Sequence, residues 1–307
     1  MPFTRRDFLH TLAGASAATA LTSARQVAYP YPIACNSYNW VTFYARQKKN
    51  WGEDLDACLG DVFKSGLLAY EPALNKPEEV IKLAPVLQKY RLAMPSVYVG
   101  TTLHKADEAA ASIKGVLAIA DEVKKVGTRI MVTNPNPIRW GSNELKSDAE
   151  LDVQASNLEL LGAKLRQKGI TLAYHTHDVE LKAGAREFHH MLLHTSPQHV
   201  SFCFDVHWVY RGSQNSQAAV FDVLKLYGRR IVELHIRQSV NGVYSETFGE
   251  GDINYRRLAQ ELKSLRLRPH LVIEQCVEEK SPNTMDGVEA HQKDLVALRE
   301  IFKPLLG

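Results

Sequence analysis

The sequence predicts a closed barrel of eight alternating strands and helices, class α/β. Three observations predict it. Short apolar runs, the kind buried on both faces of a parallel sheet, recur about every 34 residues from Ile33 to Leu271. Each is followed by a stretch with helical periodicity, and alternating βα units imply a parallel sheet. The Gly-rich phosphate turns that usually mark the competing doubly wound sheet, GxGxxG and GxxxxGK with Ser or Thr, are both missing. Eight such units in roughly 280 residues fit a single (β/α)8 barrel.

Taken in order, the strands are expected at residues 33–35, after Pro30-Tyr31-Pro32, then 67–69, 93–99, 129–133, 170–174, 200–204, 231–236 and 270–273. The helix over 112–126 is the clearest, because Ile113, Val116, Leu117, Ala120, Val123 and Val126 fall on one stripe. Gly66, Gly127 and Gly169 stand just before strands, where helix ends prefer glycine. No shift in composition marks a linker, so one barrel is expected over residues 30–306.

Composition narrows the function. Hydrophobic residues at 45% and charged residues at 23% are ordinary globular usage, which rules out disorder and fibrous repeats. A net charge of +3, evenly spread, argues against a nucleic-acid surface. No apolar run reaches the roughly 18 residues of a membrane span. Cys35, Cys58, Cys203 and Cys276 form no CxxC pair, and they read as buried thiols inside elements.

Residues 1–24 read as an export signal rather than as part of the barrel. Arg5-Arg6 precedes Phe8-Leu9, a mild small-residue stretch follows, and Thr22-Ser23-Ala24 offers a cleavage site. The paired arginines resemble a twin-arginine signal, which implies a periplasmic or otherwise exported protein that crosses already folded.

In such a barrel the active site lies at the C-terminal strand ends. Just past those ends stand Asn36, Asn39, Glu71, His104, Asn134, Asn136, His175, His177, Asp178, Asp205, His207, His235 and Glu274. Four consecutive ends carry ligand-type residues: His175, Asp205, His235 and Glu274. Two imidazoles with two carboxylates suit Mn²⁺, Co²⁺, Zn²⁺ or Fe²⁺ better than the all-oxygen sites of Ca²⁺ or Mg²⁺.

Five segments carry a family resemblance. They are Tyr174-His175-Thr176-His177-Asp178-Val179-Glu180-Leu181, Phe204-Asp205-Val206-His207-Trp208 with Gly212, Leu234-His235-Ile236-Arg237-Gln238, Gly249-Glu250-Gly251-Asp252-Ile253-Asn254-Tyr255 and Val272-Ile273-Glu274-Gln275. In order and spacing they resemble the xylose isomerase-like sugar isomerase/epimerase superfamily. The resemblance implies an isomerase or epimerase that moves a proton next to a carbonyl of a sugar or keto-sugar. It implies a divalent metal held by His175, Asp205, His235 and Glu274, with Glu274 also acting as acid/base.

The departures matter. Family epimerases that act on ketoses typically place glutamates on both the fifth and eighth strands, whereas the fifth strand here offers His175. His177 or His207 would then have to serve as the second catalytic group. A 3-keto-glycoside lyase or hydratase needs only one base and is the rival within the same barrel. A DNA-repair endonuclease, which requires a three-metal cluster, and a non-catalytic sugar-binding protein are the rivals of other classes. Arg237 and Gln238 replace the family's lysine and aspartate. Arg237 is a candidate for a substrate oxygen or a solvated rim residue. Glu71, His104, Asn134, Asn136 and Trp208 are further candidates for substrate contact, and Glu180 for a cation or substrate. The Gly249-Glu250-Gly251 loop resembles a lid. No phosphate cradle follows strands seven and eight, and an assembly of identical subunits is compatible with the sequence.

Overall fold

The computed structural model describes residues 31–306. The expected export signal lies outside the described residues. Nine parallel segments form one sheet: β1 (Ala34–Asn36), β2 (Ala69–Glu71), β3 (Ala73–Leu74), β4 (Ser96–Thr101), β5 (Ile130–Pro135), β6 (Thr171–Tyr174), β7 (Val200–Asp205), β8 (Ile231–Ile236) and, after a small hairpin β9 (Ser239–Val240) and β10 (Val243–Tyr244), β11 (His270–Ile273). The nine segments make eight barrel positions, because β2 and β3 are two halves of one strand broken at Pro72. Ala34 pairs with Ala69 on one side of the break, and Ala73 pairs with Tyr98 on the other, which closes the barrel. Proline has no N–H for the ladder, so the break falls where the sequence puts it.

The expected second strand, 67–69, therefore starts too early, and so does the third. Pro95 holds the third back to Ser96, leaving Ala93 with a single bridge to Ala69. Gly127 and Gly169 take φ of 96° and 76°, the left-handed conformation that ends the preceding helical turn.

Alternation along each strand separates two environments. Leu172 and Tyr174, Phe202 and Phe204, Leu234 and Ile236, and Leu271 and Ile273 point outward into the main apolar core. Their neighbours point into the barrel: Ala173 and His175, Cys203 and Asp205, Glu233 and His235, His270, Val272 and Glu274. Small side chains fill part of that interior. Acidic and imidazole groups fill the rest, and such groups are buried only when paired. All four cysteines are buried and free. No helix among the described residues is long and apolar enough to cross a membrane.

Candidate functional site

At the C-terminal mouth, ligand atoms of His175, Asp205, His235 and Glu274 all lie within 4.8 Å of one another. His235 Nδ1 is 2.5 Å from Glu274 Oε2, and His175 Nε2 is 3.4 Å from Asp205 Oδ2. Neither contact has hydrogen-bond geometry. Both ring nitrogens of His175 and Nδ1 of His235 are buried with no hydrogen-bond partner. Buried polar atoms are rarely left unpaired, and one nitrogen of each ring lies in the cluster with Asp205 and Glu274. A divalent cation fits that donor set of two nitrogens and two carboxylates.

The rear of the cluster fixes its orientation. His235 Nε2 is 3.0 Å from Glu71 Oε1 and 3.2 Å from Glu233 Oε1. A proton on Nε2 shared with these carboxylates leaves Nδ1 bare toward the cavity, the usual carboxylate–histidine arrangement behind a metal. Cys203, Glu233 and His235 also come within 4.8 Å of one another, but this side is bonded internally. Asn36 Nδ2 donates to Glu71 at 2.7 Å, and Ser96 Oγ donates at 2.5 Å. Glu233 also faces His270 Nδ1 at 2.9 Å. Burial and the nearby Glu233 push the Glu71 carboxyl up. Burial opposes ionisation of Glu233, but His235 and His270 hold it below the ordinary range.

Arg237 is buried, so it is not a solvated rim residue. Its Nη2 donates to Asp205 Oδ2 at 3.2 Å and to Glu274 Oε1 at 3.0 Å, and its Nη1 donates to Tyr244 Oη. Burial works against both carboxylates, yet the Arg237 guanidinium holds Asp205 and Glu274 below their ordinary values. Asp205 also serves the backbone. Its Oδ1 accepts from Trp208 N at 2.7 Å and caps the helix Val206–Gly212.

The cluster opens into a cavity of about 510 Å³ lined by Asn36, Ser37, Tyr38, Val41, Ala73, Tyr98, Trp140, His175, His177, Asp178, Trp208, His235 and Glu274. His177 is held there by a defined chain of hydrogen bonds. Asn134 Nδ2 donates to Glu180 Oε1 at 2.9 Å and to His175 O at 3.2 Å, which turns Asn134 Oδ1 toward His177 Nδ1 at 3.0 Å. An acceptor at Oδ1 requires a proton on Nδ1, so Nε2 carries the lone pair. Burial and the adjacent His175 push His177 down to about 3. It is a neutral acceptor near pH 7. The ¹³Cε1 shift of labelled His177 is expected to stay flat from pH 8 to about 4; a midpoint near the ordinary histidine value would disprove this.

Glu180 neither meets a cation nor lines the cavity. Its Oε2 accepts His177 N at 2.7 Å, and burial with Glu187 nearby pushes its carboxyl up to about 7. The folded chain thus keeps this proton where an unfolded chain releases it, so stability falls as pH rises from 4.5 to about 7. Glu180→Gln should flatten that slope in thermal unfolding. It also lets Asn134 turn over and places the His177 proton on Nε2. Turnover should fall about tenfold, the worth of one hydrogen bond to a charged group, with metal content unchanged.

The other expected contacts are distributed differently. Trp208 lines the cavity. Glu71 and Asn134 stand one layer back, behind His235 and His177. His207 is buried with Nε2 2.9 Å from Ser239 Oγ, and Asn136 Nδ2 donates to Thr102 Oγ1; neither is on the cavity wall. His104 is also off the wall, with both ring nitrogens unpaired and its basicity lowered by burial and by Lys146. Tyr38, Val41, Tyr98 and Glu233 were not foreseen. Glu233 had a signal, since a carboxylate two residues before His235 in an apolar strand shares its face. The Gly249-Glu250-Gly251 loop is latched rather than free: Gln238 Nε2 donates to the carbonyls of Gly249 and Ile253, and its Oε1 accepts from Ile253 N. A Cβ on Gly251 would come within 2.3 Å of Ser239 O, which explains that glycine.

A parallel eight-position barrel with a mixed imidazole and carboxylate cluster at its C-terminal mouth defines the class. The chain belongs to the xylose isomerase-like TIM barrel family, whose profile matches residues 64–301. No curated protein matches by sequence. Among solved structures, D-allulose 3-epimerase from Methylomonas sp. in complex with D-allulose is similar with a TM-score of 0.66 and 17% identity, over 89% of this chain and 98% of that one. A xylose isomerase-like protein from Mycobacterium smegmatis in complex with magnesium gives 0.65 and 13%, over 91% and 98%. The 3-keto-D-glucoside 4-epimerase from E. coli gives 0.64 and 14%, over 88% and 99%. At these identities the likeness is one of fold.

Proposed function

We propose that this chain is a divalent-metal-dependent sugar isomerase or epimerase that moves a proton at the carbon beside a carbonyl. The observation that carries the reading is the convergence of His175, Asp205, His235 and Glu274 at the floor of the cavity, with both ring nitrogens of His175 and Nδ1 of His235 left without hydrogen-bond partners. When bound, a divalent ion draws charge from the substrate carbonyl and acidifies the adjacent C–H. Glu274, kept ionised by Arg237, removes that proton, and His177 Nε2 offers a second acceptor. No Lys or Arg among the described residues lines the cavity, which favours an unphosphorylated substrate. Incubating the Mn²⁺- or Co²⁺-loaded protein with a panel of keto-sugars in D₂O tests the reading; lack of exchange with every member would sink it.

A lyase acting on 3-keto-glycosides is the second reading. His175 stands where a second carboxylate would serve, and both Glu274 and His177 rest as proton acceptors. Two empty acceptors cannot epimerise a carbon unless one first takes a proton from water. A single base suffices for isomerisation or elimination.

Export is the remaining proposal, resting on Arg5-Arg6 and the small-residue stretch up to Ala24. Changing both arginines to lysine should keep the protein in the cytoplasm with its activity intact, as cell fractionation would show. Normal export of that variant would remove the twin-arginine assignment.

A further inference from the structure

We infer that the outer half of the cavity receives the aglycone of a glycoside, an uncharged group with an apolar face such as an aryl ring. The inference rests on the reading that the sugar itself sits at His175, Asp205, His235 and Glu274. Three large apolar side chains that remain exposed converge on this one mouth: Tyr38 at 51%, Val41 at 42% and Trp140 at 56%. Isolated exposed apolar residues need no explanation, but a cluster around a cavity marks a binding surface. Tyr38 and Val41 are three residues apart on the helix Ser37–Arg46 and so share a side. Trp140 reaches the same cavity from the loop after β5.

Two ring contacts carry the apolar wall inward. The rings of Trp140 and Trp208 each lie 5.3 Å from that of His177, so an apolar group at the mouth would touch the same imidazole that faces the sugar. Charge points the same way. The nearby guanidinium, Arg237, is already committed to Asp205, Glu274 and Tyr244, and no lysine lines the wall. A phosphate or carboxylate at the mouth would find no cation among the described residues that line it, whereas an aromatic ring would find three partners. At about 510 Å³ the cavity is in the range that holds a drug-sized molecule, more than a single six-carbon sugar occupies. The inner polar floor and the outer aromatic wall together fit a molecule with a sugar head and an apolar tail.

Matched methyl and phenyl glycosides of glucose, galactose and xylose, titrated calorimetrically into metal-loaded protein, test this directly. At least one phenyl glycoside should bind about tenfold more tightly than its methyl partner, the scale of a good aromatic contact. Trp140→Ala and Tyr38→Ala should each pull that ratio toward one, and Trp140→Phe should restore most of it. Both positions are exposed, so the variants should fold. Equal affinity within every pair, no binding of any pair, a ratio untouched in both alanine variants, or tighter binding of glucose 6-phosphate than of the phenyl glycosides would overturn the inference. Deuterium exchange into the corresponding methyl 3-keto-glycosides is measured separately. A phenyl preference without exchange would fail the proton-transfer reading while keeping the aglycone subsite, and exchange without a preference would do the reverse.

Discussion

Asp205→Ala is expected to yield a folded barrel that no longer holds a divalent ion. The wild type should carry about one ion per chain, read by elemental analysis of the purified protein. Loss of a partner that merely orients a ligand weakens metal affinity by about 10–100-fold, so loss of a direct ligand should exceed that. The fold should survive, because the outer core between strands and helices does not involve this residue. The local cost is the cap on Trp208 N, typically about 1 kcal/mol, and the lost partner of Arg237. His235→Ala should lose the ion as well but at greater cost to stability. It leaves Glu71 and Glu233 facing each other in the barrel interior without the imidazole between them. A readout independent of turnover is available. An ion at 100 times its dissociation constant stabilises the native state by about 2.7 kcal/mol, on the order of 5–10 °C in a domain of this size. Wild type should show that rise on adding Mn²⁺ or Co²⁺, and Asp205→Ala should show none. Full occupancy in both variants would place the ion elsewhere.

The barrel was legible because its signals are local. Apolar runs, the stripe from Ile113 to Val126 and the glycines before strands depend on neighbours in sequence. The clustering of His175, Asp205, His235 and Glu274 was legible for a related reason: in a parallel barrel every strand ends at the same mouth, so position along the chain gives position in space. What could not be read depends on contacts across the barrel. Arg237 is written like a rim arginine, and only the approach of Asp205 and Glu274 from two other strands turns it inward. Gln238 looked like a lost aspartate, yet it ties down the loop that Gly251 brings against it. His177 and His207 were equivalent candidates in sequence. Asn134 turns one toward the cavity, and Ser239 holds the other away from it. The break in the second strand has a local cause in Pro72 that the expected strand at 67–69 did not take into account, and the pairing of its halves with different neighbours follows from closure alone.

Glu274→Gln is expected to lower turnover by roughly 10²–10⁴-fold, the scale of general-base catalysis. Glutamine keeps the length of the side chain, and its carbonyl can still accept from Arg237 Nη2, as Glu274 Oε1 does at 3.0 Å. Its amide then faces His235 Nδ1, where Oε2 now lies 2.5 Å away, and it competes for the nitrogen that a cation would use. Some loss of metal follows, so occupancy and rate are measured on the same sample. The fall in rate per bound ion isolates the lost base. The wild type reports which reaction that base serves. Deuterium from D₂O appearing in an isomeric sugar with its skeleton intact identifies an isomerase or epimerase. Release of an aglycone with an unsaturated keto-sugar identifies the lyase, since the same carbanion expels its β-substituent before a proton returns. If no keto-sugar gives either product, and Glu274→Gln binds sugars as the wild type does, then Glu274 is not a catalytic base and the barrel is a sugar-binding protein.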